Sequence, residues 1–376
     1  MMSPAGLSTA EGVITSTYDA LLTRGEPNLD ILSRFCRGAG RARTPASPRA
    51  RPRLKGARML LGTWNPENLY RPGGPFGPED EAAYASKPAS LAAVITELDP
   101  ALLGVQEVGD PGALEDLAGM LDDDWRIALS EHADSRGIRV GFLSRTDPTV
   151  VADTVAFPAE LLPVQADDAG LTAGQAGRGF LAVEVAGDGD GPPLRVAVCH
   201  LKSKLLSYPN GRFHPRDEGE RARYGAYALY RRAAEAVALR ALADELLDGD
   251  GRDRDVAVLG DLNDEVQAAT TQILLGPPGS EIGTPGYDRP DDGDAFRLWD
   301  VAPLIPAAQR YSRVNFGRRE LIDHVLLSHR LVRRVTVAGT GLPDEVPPRL
   351  PSVGPDPAER RGVAGSDHAP VWVRVG

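Results

Sequence analysis

Cysteine is nearly absent: the chain of 376 residues has two, Cys36 and Cys199. One lies in an arginine-rich stretch and the other in an apolar run, so neither a disulfide framework nor a zinc-binding spacing is available. Lysine is scarce as well, confined to Lys55, Lys87, Lys202 and Lys204, and the other basic residues are arginine. No apolar run approaches the roughly 18 residues of a membrane span. The first thirty residues lack the charged-then-apolar layout of a signal peptide. These absences point to a soluble, cytoplasmic protein, and nothing in the sequence calls for more than a monomer.

What is present is ordinary for a folded chain. Apolar residues make up 42% and charged residues 25%, which excludes collagen, coiled coil and global disorder. The length allows one large α/β domain or two small ones. Charge is uneven. Residues 1–58 carry ten Arg or Lys against four Asp or Glu; the remainder carries 32 against 49, a net of −17. A body this acidic opposes non-specific duplex binding, although a local basic groove remains compatible with it. The basic stretch Arg34–Arg58, with Pro45, Pro48 and Pro52, has little to bury. It reads as a disordered extension or a nucleic-acid-binding arm. It also precedes Met59, which stands directly before the first strand and is a candidate start. The expected organisation is therefore an extension over 1–58 and one catalytic domain over 59–376.

From Met59 on, short Val/Ile/Leu-rich runs alternate with helical stretches. The runs predict strands at Met59–Trp64, Leu102–Gln106, Arg126–Leu129, Arg139–Leu143, Phe180–Val185, Arg195–Cys199, Val256–Leu259, Leu321–Leu327, Val335–Ala338 and Val371–Val375. The longest helix is expected over Glu218–Leu247, with Tyr230, Ala234, Val237 and Ala241 as its apolar stripe and Gly249 and Gly251 ending it. A second helix should run from Ala82 or Pro88 to Glu97, and a third near Gly112–Leu121. Strands interleaved with a few helices suggest packed sheets with helices outside, not a strict βαβ alternation.

Polar residues recur at strand ends. Asn65, Glu107, His200, Asp261 with Asn263, Asp323, and Asp367 with His368 each follow or precede an apolar run. Taken singly, each reads as a turn residue, a cap or a solvated group. Taken together they are a coherent set. Asn65, Glu107 and Asp367 offer oxygen ligands suited to Mg²⁺ or Mn²⁺. His200 and Asn263 can donate to phosphate oxygens, Asp261 can orient or deprotonate a water, and Asp323 can hold His368 in its charged form. His324, beside Asp323, alternates to the opposite face and reads as packing. This is equipment for metal-assisted hydrolysis of phosphate esters.

The motifs Thr-Trp-Asn, Gln-Glu-Val, His-Leu-Lys-Ser-Lys, Gly-Asp-Leu-Asn-Asp, Ile-Asp-His and Ser-Asp-His occur in that order between Met59 and Val375. In this the chain resembles the endonuclease/exonuclease/phosphatase superfamily, the deoxyribonuclease I-like enzymes. The resemblance implies a four-layer α/β/β/α sandwich, two mixed sheets packed face to face with helices outside. It implies that Asn65, Glu107 and Asp367 lie on the metal side, with Glu107 the leading ligand and Asn68 a competing amide. His200, Asp261, Asn263, Asp323 and His368 would be catalytic. Lys202, Asn263 and Arg221 would contact substrate. Two features depart from the pattern. No partner for His200 is evident around Arg139-Val-Gly-Phe142, and the inserted segment Ser207–Arg223, which bears Arg221, reads either as a phosphate-contacting loop or as a plain surface connection, while the arginines of Gln309–Arg319 could serve any phosphate-ester substrate. The implied activity is a divalent-metal-dependent phosphodiesterase or nuclease. The alternatives are a phosphomonoesterase or sphingomyelinase-like phospholipid phosphodiesterase on the same scaffold, or a binding module that kept the fold.

Overall fold

A computed structural model describes residues 59–122, 124–187, 191–354 and 357–376. The basic extension over 1–58 and Cys36 lie outside the described residues. In chain order the strands are β1 Met59–Trp64, β2 Leu102–Val108, β3 Arg126–Leu129, β4 Arg139–Ser144, β5 Thr149–Ala156, β6 Val164–Gln165, β7 Thr172–Ala173, β8 Gln175–Val185, β9 Leu194–His200, β10 Asp255–Asp261, β11 Trp299–Asp300, β12 Arg313–Asn315, β13 Arg318–Glu320, β14 Asp323–Leu327, β15 Val335–Thr340, β16 Ser352–Val353 and β17 Val371–Val375. The three principal helices are α1 Glu81–Leu98, α2 Pro111–Gly119 and α3 Glu218–Leu247. No helix among the described residues is long and apolar enough to cross a membrane.

Two six-stranded mixed sheets form the frame. One has the order β15-β17-β1-β2-β4-β3 and the other β11-β14-β10-β9-β8-β5. Alternation along each strand builds three apolar layers. Leu61, Leu102, Phe142, Val196, Val198, Leu259, Val325 and Val373 face the partner sheet. The intervening residues Leu103, Val105 and Leu143 meet α1 and α2 through Leu91, Ile95, Leu114 and Leu117. Ala197, Cys199, Val256 and Val258 meet α3 through Ala238, Leu239, Leu242 and Leu246. Helix, sheet, sheet, helix is thus the expected four-layer sandwich. At Gly104 the sheets pack tightly: an added Cβ would lie 2.2 Å from Leu259 Cδ1.

Three strands and α3 match their expected bounds. Other elements differ for physical reasons. β5 was not expected; four of its eight residues are exposed and none is buried, so it has no apolar run. β8 begins at Gln175, inside what reads as a loop, because its first half is polar. α1 starts at Glu81, capped by Asp80, and carries Pro88 inside. The stripe expected on α3 is wrong. Tyr230 is half exposed and Ala241 is exposed, while Ala234, Ala238, Leu239, Leu242, Ala243 and Leu246 are buried. In an alanine-rich helix several 4-3-4 rows look equally apolar, so periodicity alone does not select the buried one.

Candidate active site

The register of the second sheet builds the site. Asp261, the last residue of β10, pairs with His200 on β9 and with Asp323 on β14. The three side chains stand in one row across adjacent strands. They continue the inward-facing series Val198, Leu259 and Val325, so the inter-sheet core ends in a polar floor. The first sheet supplies the opposite wall. Asn65 follows β1, and Glu107 lies in β2 where the pairing with β4 slips between Val105 and Val108. Glu107 has φ +48°, in the left-handed region. Such a backbone is uncommon for a residue other than glycine and persists only where its surroundings fix it. Here Asn68 N–H donates to Glu107 Oε2 at 2.9 Å, and Leu69 N–H donates to the Glu107 carbonyl at 3.0 Å.

Asn65 joins the two walls. Its Nδ2 donates to Glu107 Oε1 at 3.2 Å and to Asp261 Oδ2 at 3.1 Å. Its Oδ1 accepts the Glu67 N–H at 2.9 Å, which fixes the amide's orientation. The NH₂ of Asn65 thus faces the two carboxylates, and its oxygen is engaged by the Glu67 backbone. Asp367 has an arginine partner. Its Oδ2 is held by Arg313 Nε at 3.2 Å, and it makes no hydrogen bond to Asn65 or Glu107. Arg313 and His368 in turn hold its carboxyl below the usual range despite burial.

His368 Nδ1 donates to Asp323 Oδ2 at 2.7 Å. Burial opposes its charge, yet the carboxylates of Asp323 and Asp367 outweigh burial and raise its pKa to about 10. His200 behaves oppositely. Complete burial, with Arg178 and His368 nearby, pushes its pKa well down, so it is a neutral imidazole. Its Nε2 lies 3.4 Å from Asp261 Oδ2 and 3.9 Å from Glu107 Oε1, while Nδ1 is buried with no partner. Asp261 is pushed up to about 7, by burial first and then by the Asp323 charge. Its Oδ1 accepts the Asn263 N–H at 2.8 Å, and Asn263 Nδ2 donates to the Leu201 carbonyl at 3.0 Å.

The two other expected substrate contacts are each engaged by protein groups. Lys202 Nζ donates to the carbonyls of Ser203 and Leu205, both at 2.9 Å, and pins its own loop. Arg221 forms an ion pair with Glu218 on the exposed first turns of α3. Sequence reasoning missed three groups beside the site. Glu67 accepts the Asp367 N–H at 3.0 Å and holds Arg360 in a bidentate pair. Arg178, on β8, ion-pairs with Asp134 at 3.2 Å beside His200. Arg313 clamps Asp367. A polar residue two positions after Asn65, and an arginine at the head of a strand, were the available signals. His324 lies on the other face, bonded to Asp300 and the Asp264 carbonyl.

The donor set fits a divalent cation. One ligand atom each of Asp261, Asp323 and His368 lies within 4.8 Å of the others. His368 is spoken for by its proton, however, and Glu107 is the carboxylate that remains partly open, its side chain 18% exposed. Two carboxylates sharing one amide donor, with a neutral histidine as neighbour, lack the positive charge that an oxygen-preferring ion supplies.

A sequence profile of the endonuclease/exonuclease/phosphatase family matches residues 62–368. No curated protein matches the chain. Among solved structures, truncated TDP2 from Caenorhabditis elegans is 15% identical, with a TM-score of 0.49 over 86% of this chain and 99% of that one. A mannosyl-6-phosphatase from Bacteroides thetaiotaomicron is 15% identical, with a TM-score of 0.48 over 85% and 99%. A conserved protein from Enterococcus faecalis is 16% identical, with a TM-score of 0.48 over 85% and 99%. The profile spans both sheets and every strand-end motif of the site, and the chain belongs to the endonuclease/exonuclease/phosphatase family.

Proposed function

We propose that the protein is a divalent-metal-dependent phosphodiesterase, acting on nucleic acid or a smaller diester, with its catalytic unit in residues 59–376. The observation that carries this is the row His200–Asp261–Asp323, completed by cationic His368 and faced by Glu107 and Asn65. Glu107 is the leading ligand for Mg²⁺ or Mn²⁺, which when bound supplies charge stabilisation on a phosphoryl oxygen. Asp261 orients a water and accepts its proton. His368, kept charged by Asp323, donates a hydrogen bond from Nε2 to a phosphoryl oxygen. His200 and Asn263 add neutral donors there. Asn65 holds the Glu107 and Asp261 carboxylates at fixed separation. Donors set before the reaction act on charge that develops in the transition state, which is where such groups contribute most.

The test is a substrate panel with Mg²⁺, Mn²⁺ or EDTA. It holds single-stranded and duplex DNA, RNA, bis-p-nitrophenyl phosphate, p-nitrophenyl phosphate and a sphingomyelin vesicle. Metal-dependent cleavage of diesters is the expected result. Turnover of the monoester alone would mean a phosphomonoesterase, and turnover of the lipid alone a phospholipid phosphodiesterase.

A further inference from the structure

A hairpin rises from the site and ends in a strained aromatic residue. β12 and β13 pair with Arg313 opposite Glu320 and Asn315 opposite Arg318, so Phe316-Gly317 is a two-residue turn. Phe316 has φ +46° and Gly317 φ +74°. Positive φ at both positions is a type I′ turn, which favours Asn-Gly. Phenylalanine in the left-handed region is a backbone outlier. It is also 65% exposed, so burial does not compensate the strain. The turn is nevertheless held firmly. Phe316 N–H donates to the Val353 carbonyl at 3.1 Å, and Gly317 N–H donates to Ser352 Oγ at 2.9 Å.

The base of the hairpin belongs to the catalytic centre. Ser312 Oγ accepts the N–H groups of Ile322 and Asp323, each at 3.1 Å. Arg313 clamps Asp367 and bridges to His368. From Arg313 to Phe316 is three residues, about 10 Å of strand. A ring there is within reach of the nucleotides flanking a scissile phosphate. The hairpin's charge is opposite to that of the body. Residues 313–320 hold three arginines and one glutamate, against the net −17 of residues 59–376. Arg318 makes no ion pair among the described residues, and Arg319 stacks over Tyr311 at 4.6 Å.

We infer that Phe316, flanked by Arg318 and Arg319, is a stacking platform for an unpaired nucleobase next to the scissile phosphate. The inference rests on the phosphodiesterase reading and narrows its substrate to single-stranded or frayed nucleic acid. An aromatic face with neighbouring arginines is how single strands are held without sequence preference. Duplex bases are already stacked on each other, and the acidic body repels a long rigid polyanion. A single phenylalanine is too little apolar surface to anchor a protein stably on a lipid surface, and the body's charge opposes an anionic leaflet.

The experiment compares the full-length wild type, Phe316→Asn and Phe316→Tyr with Mg²⁺ present. Binding is read by fluorescence anisotropy of a labelled single-stranded phosphorothioate oligonucleotide and of its abasic counterpart. Phe316→Asn supplies the preferred turn residue, so its melting temperature should rise by about 2 °C. Its affinity for the base-bearing strand should fall by about 5- to 100-fold, with abasic binding unchanged and wild-type affinity kept by Phe316→Tyr. Equal binding by wild type and Phe316→Asn, or an equal loss on the abasic strand, would overturn the inference. So would loss of phosphatidylcholine-vesicle binding by Phe316→Asn with oligonucleotide binding intact, which would mark a lipid contact. Hydrolysis of bis-p-nitrophenyl phosphate by the wild type separates the two claims. Its absence counts against the phosphodiesterase reading, whereas its presence with unchanged oligonucleotide binding counts against the stacking platform alone.

Discussion

His368 carries its charge because two carboxylates face it. Asp323 bonds Nδ1 directly, and Asp367 adds a second negative charge. His368→Ala removes the charged donor, so kcat should fall by about 10²–10³-fold, and the melting temperature should fall too, because Asp323 is left buried without its partner. Asp323→Asn should lower kcat comparably, and the double variant should be little worse than either single one, because the pair acts as a unit. Under the proposed mechanism the pH profile follows from two groups with opposite requirements. Asp261 works as a carboxylate, and its pKa is raised to about 7, so kcat/KM should climb with pH through about 7. His368 works protonated, with a pKa of about 10, so activity should decline as pH rises through about 10. A profile flat between pH 5 and 8 would contradict the role of Asp261. At this scale the sequence was most informative. His200, Asp261, Asn263, Asp323 and His368 are legible because strand ends announce them. The opposed roles of His200 and His368 were not, since they depend on burial and on carboxylates distant in the chain. Nor was Glu67, which looks like any turn acid until Arg360 is seen beside it.

Among the elements, the strands buried on both faces were legible, as were part-exposed β3 and β15, whereas β5, β12 and β13 were not. β9 and β10 are near-continuous apolar runs with helices on one side and a sheet on the other. β5 carries Asp153 and Thr154 on a half-exposed surface, and β12 and β13 have three residues each, too few for a period. Gly104 is a prediction at this scale. A Cβ there would lie 2.2 Å from Leu259 Cδ1 and 3.0 Å from Val198 Cγ2. Gly104→Val should destabilise the fold by about 1–3 kcal/mol in denaturant unfolding. It should also weaken activity, since β2 carries Glu107 three residues on. At α3, Asp217 caps the helix by accepting the Glu220 N–H at 2.8 Å. Asp217→Ala should cost about 1 kcal/mol without altering kcat.

Taken whole, the molecule sets a basic hairpin on a site in an otherwise acidic body. Two packed sheets were anticipated through the family resemblance that the motif order carries, while the interleaving of strands with a few helices suggested only packed sheets with helices outside. How far the walls stand apart was not legible, since it depends on a slipped pairing in β2 and on Gly104. The charge distribution gives a prediction for the whole chain. Cleavage of a small diester should vary little with salt, and affinity for a single strand should fall as salt rises, with a slope reflecting only a few phosphate contacts. A chain beginning at Met59 should hydrolyse bis-p-nitrophenyl phosphate at the full-length rate. A large loss would assign the basic extension a part in catalysis.

The central claim is that Glu107 and its neighbours hold a divalent ion for phosphodiester hydrolysis. The most direct measurement is the rate of bis-p-nitrophenyl phosphate hydrolysis as Mg²⁺ is titrated into EDTA-treated wild type and Glu107→Gln, with ion binding followed by calorimetry. The account predicts saturable activation of the wild type. It also predicts a loss of ion affinity, and of about 10²-fold or more in rate, for the variant. Hydrolysis that persists in EDTA, or ion binding unchanged by Glu107→Gln, would contradict it.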